Sequence, residues 1–242
     1  LLQMSSWIYV GIAALALFVI VGLAIATYSG AQFLEIFDKF DDVGASSYLS
    51  VEKFAILVNN EKFGGNVKLA IIRGKLTDAY EKERKLVAIS EHSLKRSSVA
   101  SLCVVAHEFG HAMQDAENNK KFNRILKMKK AVNYLGIFVF PLIIIGIILC
   151  IFLPNYLILG IGIACLGLAI FLTALLIKVA ILPVEKDASK RGIMLLREFD
   201  VLNEEEIKIA TKVLSAAYLT YVGDFFRAIL GWTFLTGKTK FF

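Results

Sequence analysis

Three side chains able to do chemistry together stand close in the sequence: His107, Glu108 and His111, in the order H-E-x-x-H. On a helix, histidines at i and i+4 project from one face, about 6 Å apart along the axis. Two imidazoles so placed can hold a single Zn²⁺. Glu108, one residue on, lies beside such an ion rather than on it, where its carboxylate can take a proton from an attacking water and pass it to a leaving amine. The chain has only three histidines, and two of them are in this motif. An unpartnered histidine and glutamate in an apolar frame would be costly, which favours a metal over an ordinary buried helix.

The element that must carry the motif runs from Ser97 to Gln114 (SSVASLCVVAHEFGHAMQ). It reads as one helix: Ser97 or Ser98 can cap its start and no proline interrupts it. Val104, Val105 and Ala106 precede the motif, and Phe109, Gly110, Ala112 and Met113 surround it without a charge. That frame suits a buried helix crossing beneath a reaction centre.

Two histidines do not complete a zinc site. No glycine and third histidine follow His111, where Ala112-Met113-Gln114-Asp115-Ala116-Glu117 stands instead, so the metzincin pattern is excluded. His92, the remaining histidine, lies on a charged segment upstream. A carboxylate is the better third ligand. Asp115 and Glu117 are close in sequence but off the metal-facing positions. Further on, Leu182-Pro183-Val184-Glu185-Lys186-Asp187-Ala188-Ser189-Lys190-Arg191 offers Glu185 in the first turn of a new helix. Spacing favours Glu185 only modestly. Asp187 and Ser189 could orient the ligands, and Arg191 is a candidate catalytic residue that would stabilise an oxyanion or a substrate carboxylate.

The rest of the chain places this chemistry at a membrane. Of 242 residues, 57% are hydrophobic, more than an ordinary soluble domain carries. Trp7–Thr27 and Ala131–Ile177 contain no charged residue. A hydrocarbon core of ~30 Å needs about 20 helical residues, so the first stretch is one span and the second is two, turning at Pro154-Asn155. The first lacks a basic leader and is longer than a signal peptide's apolar run, so a retained anchor is expected. Val213–Leu235, apolar but for Asp224 and Arg227, reads as a fourth span or an interfacial helix, with those two charges paired at i,i+3.

Charge sets the orientation. Lys120, Lys121, Arg124, Lys127, Lys129 and Lys130 precede the second span, and Lys178, Lys186, Lys190 and Arg191 follow the third. The positive-inside rule puts these ends in the cytoplasm. Beside a span, such a basic run points to topology and anionic lipid rather than to nucleic acid. The hairpin returns the chain to the side it left, so Glu185 faces the same compartment as His107. Cys103, Cys150 and Cys165 have no disulfide or zinc-knuckle spacing and read as apolar filler.

Upstream, Phe33, Leu34, Ile36, Phe37 and Phe40 follow helical spacing up to Gly44, either on the membrane surface or capping the soluble part. Ser50 opens a helix to about Asn60. Val67–Ile72 and Lys85–Ser90 read as strands. The strand before the HExxH helix could pair with an extended peptide and lay its scissile bond over the metal; alternatively the two strands form a structural hairpin.

Three blocks in order resemble the YugP family of membrane-bound zinc metallopeptidases: Gly74-Lys75-Leu76-Thr77-Asp78-Ala79-Tyr80, His107 through Gln114, and Leu182 through Arg191. The match covers roughly Ser50 to Tyr221. The resemblance implies a gluzincin-like site with Glu185 as third zinc ligand and a distant kinship with HtpX-type membrane proteases. Those place an aspartate four residues after the ligand glutamate, where this chain has Ser189. The family's usual D-H-Y-D-P is replaced by Asp78-Ala79-Tyr80-Glu81-Lys82.

The expected protein is mainly α, a membrane protein of transmembrane helices with a small α+β zincin-like catalytic domain on the HExxH helix. Its expected parts are an anchor (1–28), a cytoplasmic zincin-like domain (29–130), a transmembrane hairpin (131–180), a ligand-bearing helix (181–212) and a fourth transmembrane or interfacial helix (213–242). The expected activity is zinc-dependent endopeptidase cleavage of unfolded or membrane-proximal segments at the cytoplasmic face of the plasma membrane, with the bilayer, and a membrane partner or second copy, as further partners. The alternative is a non-catalytic or partner-gated zinc-fold adaptor, which would have no need of Glu108. An intramembrane site-two-type protease would need a D-G motif, and none occurs.

Overall fold

The structure is a computed structural model. It describes residues 2–229, so Leu1 and the end of the expected fourth apolar stretch, 230–242, lie outside the described residues. Nine α-helices and three strands are described: α1 (Leu2–Asp41), α2 (Val51–Phe63), β1 (Lys68–Ile72), β2 (Ala79–Glu81), β3 (Leu86–Ser90), α3 (Glu91–Leu94), α4 (Val99–Ala116), α5 (Lys120–Gly136), α6 (Val139–Phe152), α7 (Leu157–Ala180), α8 (Leu182–Glu198) and α9 (Glu204–Ile229). The protein is thus mainly helical with one small mixed sheet. It divides into two compact units.

Of the described residues, the first unit comprises 2–30, Lys127–Val179 and 220–229. Among the described residues, two helical stretches are long and apolar enough to cross a membrane, Ala16–Asp41 and Pro154–Glu198; the α5–α6 pair makes a third if its two helices count as one span. That pair is bent by 46°, so the expected Ala131–Leu153 span is broken at Ile137-Phe138, just past Gly136, a poor helix former. α9 as far as Ile229 is not among these stretches. A 3-10 turn at Pro154–Tyr156 joins α6 to α7, where the sequence places the turn. Glycines let the two backbones nearly touch: a Cβ on Gly146 would lie 2.6 Å from Gly160 O, and one on Gly167 3.0 Å from Val139 O. Small residues at such a crossing replace the hydrophobic drive that lipid cannot supply. In the same unit Asp224 pairs with Arg227 at 2.7 Å, the i,i+3 pairing the sequence suggests.

The second unit, Ala31–Leu126 with Ala180–Leu219, holds the sheet and α4. α1 runs without a break from the charge-free stretch through Phe40, since no proline separates them. Its Phe33 and Phe37 are buried in this unit's core while Leu34 is exposed, so this face caps the core. Ser50 caps α2, which ends at Gly64 in the left-handed conformation (φ 57°), a geometry glycine adopts without a Cβ penalty.

The strand order is β1-β3-β2, with β1 parallel and β2 antiparallel to β3. β1 and β3 therefore form no hairpin. β3, the strand before α4, is paired on both sides, so it has no free edge for a peptide; the edge beside α4 is β2. α4 is capped by Ser98, whose Oγ accepts from Ser101 N at 3.2 Å. Buried Asp41, at the end of α1, accepts from Ser98 Oγ (2.7 Å) and Ser101 Oγ (2.8 Å) and contacts His92 Nε2 (2.6 Å). Burial alone would raise the Asp41 pKa, but the hydrogen bonds from His92, Ser98 and Ser101 and the charge of Arg96 hold it below the usual carboxylate value.

Candidate metal centre and active site

α4 and α8 cross at van der Waals contact because each has a glycine there. A Cβ on Gly110 would sit 2.3 Å from Ala188 O, and one on Gly192 2.9 Å from His107 N. No side chain fits either gap. The crossing brings the first turn of α8 against the HExxH face of α4, and Glu185 meets the two histidines. One carboxylate oxygen, Glu185 Oε2, lies 3.3 Å from His107 Nε2 and 3.2 Å from His111 Nε2. One ligand atom from each residue falls within a 4.8 Å cluster.

This donor set fits zinc. Two donors about 2.1 Å from a tetrahedral ion stand roughly 3.4 Å apart. The two separations from Glu185 match that and exceed the ~2.7–2.9 Å of a direct charge-assisted hydrogen bond. The outward nitrogens are already occupied: His107 Nδ1 lies 3.0 Å from Ser189 Oγ, and His111 Nδ1 lies 3.0 Å from Gln114 Oε1. A ring that donates from Nδ1 keeps Nε2 as a lone-pair donor for a metal.

Electrostatics point the same way. Burial would depress His111, but Glu185, aided by Glu108 and Gln114, raises it to about 9. Burial would raise Glu185, but His111 and His107 pull it well below the carboxylate range. With no metal, the pair holds a proton that a cation would displace. Phe122 stacks on the His111 ring, with centroids 5.7 Å apart, and shields it from water.

Glu108 is buried beside the cluster and is not part of it. Its Oε2 accepts from the backbone N–H of Tyr80 at 2.7 Å. That N–H lies on the side of β2 turned from β3 toward α4, so the sheet edge fixes the carboxylate. Burial pushes the Glu108 pKa up; the charges of His107 and His111 oppose this, while Glu185 and Asp78 add to it.

Arg191 is not among the residues that converge. Its Nη1 donates to Glu117 (2.6 Å) and its Nε to Asp187 (2.8 Å). Asp187 Oδ2 in turn accepts from Gln114 Nε2 at 2.8 Å. Arg191 thus reaches the cluster through Asp187 and Gln114, behind His111. Glu117 is engaged here, and Asp115 accepts from Tyr80 Oη (2.8 Å) and pairs with Lys82 (3.0 Å), so neither alternative carboxylate is at the cluster. His92 is held by Asp41. Gln114, fully buried, went unassigned in the sequence; its signal is its place one turn after His111, on the same face. The Tyr80 contact is made by backbone and leaves no residue signal.

A fold in which an HExxH helix and a membrane-linked helix supply a His-His-Glu cluster defines a metallopeptidase-type site. The chain belongs to the family described as "Putative neutral zinc metallopeptidase", whose model matches residues 15–236. It is 29% identical over 203 residues to "Putative membrane protease YugP" of Bacillus subtilis (strain 168), covering 84% of this chain and 86% of that protein. No solved structure matches. The family description thus makes this chain a zinc metallopeptidase by similarity, and its long apolar helices associate it with a membrane.

Proposed function

We propose that the protein is a membrane-embedded zinc endopeptidase with a zincin-like catalytic unit, cleaving unfolded or membrane-proximal polypeptide at the cytoplasmic face. The observation that carries this reading is the convergence of His107 and His111 on Glu185, at 3.3 and 3.2 Å, beside a buried Glu108 that is not in the cluster. Zn²⁺ held by those three residues would supply Lewis acidity to the scissile carbonyl and acidify the attacking water.

The chain's own residues do the rest. Glu108, held by Tyr80 N–H, takes the proton of the attacking water and returns it to the leaving amine. Its raised pKa suits a base that must later act as an acid. Ser189 and Gln114 hold the imidazoles in the tautomer that leaves Nε2 free. Arg191 positions Asp187 and, through it, Gln114. The basic ends of the apolar stretches, Lys120–Lys130 and Lys178–Arg191, support a multi-pass topology with the site in the cytoplasm of a plasma membrane.

The test is cleavage of an unfolded protein by detergent-purified enzyme. Wild type cleaves. Glu108→Gln keeps its zinc and loses about 10²–10⁴-fold in rate, and chelator abolishes cleavage. Cleavage by Glu108→Gln at the wild-type rate overturns the mechanism. Protease protection that exposes Lys120–Lys130 outside the cell overturns the orientation.

A further inference from the structure

The catalytic unit carries a groove between α8 and α9 that the chemistry above does not use. Its volume is about 650 Å³, in the range of ligand-binding clefts. Ile193, Leu214 and Tyr218 give it an apolar wall. Lys186 and Lys190 stand exposed at its rim. Ser189 is shared: it lines the groove, and its Oγ contacts His107 Nδ1. A side chain seated in the groove would lie one residue's breadth from a metal ligand.

The groove extends further. A second cavity of about 440 Å³ shares Thr211 and Ser215 with it and adds Lys39 from the end of α1 and Lys208 and Lys212 from α9. Five lysines thus border the two cavities, against Glu35 and Asp187. The Asp187 carboxylate is already taken by Gln114 and Arg191. Lys208 pairs with Glu205 and the Lys190 charge acts on Asp187, while Lys186 and Lys212 have no ion-pair partner within 4.0 Å among the described residues. Apolar walls below a rim of five ammonium groups that outnumber its carboxylates complement a chain that alternates bulky apolar and acidic side chains.

We propose that this α8–α9 groove is the substrate-selecting subsite, taking a large apolar side chain of a polypeptide whose neighbouring residues are acidic. The assignment rests on the peptidase reading for its occupant and names that site's substrate class. Lys186 and Lys190 select by charge at the rim; Ile193, Leu214 and Tyr218 select by burial. Ser189, at the inner end, joins the groove to the reaction centre.

The experiment uses full-length protein in detergent and two labelled peptides of equal length, each with a central leucine, one flanked by glutamates and the other by lysines. Binding is read by anisotropy on the Glu108→Gln protein, and kcat/KM on protein with native Glu108. The glutamate peptide is expected to bind roughly tenfold more tightly at low salt, as two rim charges allow. Lys186→Glu with Lys190→Glu reverses the preference and leaves the zinc content unchanged. Ser215→Trp, which fills the groove from an exposed position, weakens both peptides. Equal binding of the two peptides, or a preference that survives the charge reversal and Ser215→Trp, overturns the proposal. It is also overturned if the lysine changes alter only binding to vesicles containing anionic phospholipid, which would make the groove a lipid site. Groove-dependent binding with no cleavage by wild type would instead defeat the peptidase reading and leave the subsite standing, so the two failures are distinguishable.

Discussion

The two units use the same packing device and obtain different things from it. In the first, Gly146, Gly160 and Gly167 bring α6 and α7 to backbone contact; in the second, Gly110 and Gly192 do so for α4 and α8. The α6–α7 crossing is lined by Ile, Leu, Val, Ala and Cys150, and its closeness yields association alone. At the α4–α8 crossing His107 and His111 lie within a turn of Gly110, and Glu185 lies within a turn of Ala188, which Gly110 contacts. There the same closeness makes a donor cluster. A short interhelical distance becomes a site only where groups that would be costly to bury singly can satisfy one another.

The comparison is broken most severely at Gly110. Gly110→Val should push α8 away from α4, since a Cβ already meets Ala188 O at 2.3 Å. Zinc content measured by elemental analysis should fall to background, and activity with it. If zinc stays stoichiometric, the crossing does not set the cluster.

Next in size is Gln114→Leu, which removes the acceptor from His111 Nδ1 and one of the two donors to Asp187, leaving only Arg191 on that carboxylate. Competition with a chromophoric chelator should show a 10–100-fold loss of zinc affinity, the usual cost of deleting such a partner. Arg191→Met acts one hydrogen bond further out and should cost less, with kcat/KM falling in proportion to zinc occupancy. A fall in kcat at full zinc occupancy would restore Arg191 to a direct catalytic role.

The proton on the His111–Glu185 pair gives a pH test. His111 has its pKa raised to about 9, above its unfolded value of about 6.5. Its contribution to the metal-free protein is therefore fully present below about pH 6.5 and lost as pH rises through about 9. Glu185, whose pKa is lowered, contributes above its unfolded value and loses that contribution as pH falls through the folded one. Thermal melts of metal-free protein should lose stability between pH 6.5 and 9, and zinc-loaded protein should not. Zinc binding near pH 7 should release about one proton, measurable by calorimetry in buffers of different ionisation enthalpy.

The smallest effect on the site is expected at Gly146→Ala. It should lower the detergent melting temperature of the protein while leaving zinc affinity within about twofold, because its neighbours are all apolar. A matching loss of zinc would show that the hairpin and the cluster are energetically one structure.

Much of this was legible in the sequence, for reasons of period and polarity. The 3.6-residue repeat puts His107 and His111 on one face whatever surrounds them, and charge-free runs of span length declare themselves by composition. Serine caps and Pro154 mark element ends by local chemistry. What the sequence could not settle was what depends on pairing at a distance. For β1 and β3 the sequence left open a peptide-pairing strand or a hairpin; register and direction are set by which faces are buried, and the two pair in parallel. Phe33 and Phe37 fit a membrane surface or a core equally well by spacing; burial chose the core. Arg191 looked free to meet substrate, yet two carboxylates hold it. The third ligand shows the division most sharply. The HExxH spacing fixes two donors through helix geometry alone, whereas Glu185 is 74 residues from His111 and competes on paper with Asp115 and Glu117. It joins the donor cluster because Gly110 and Gly192 let two helices touch, and the tertiary structure alone brings those two glycines face to face.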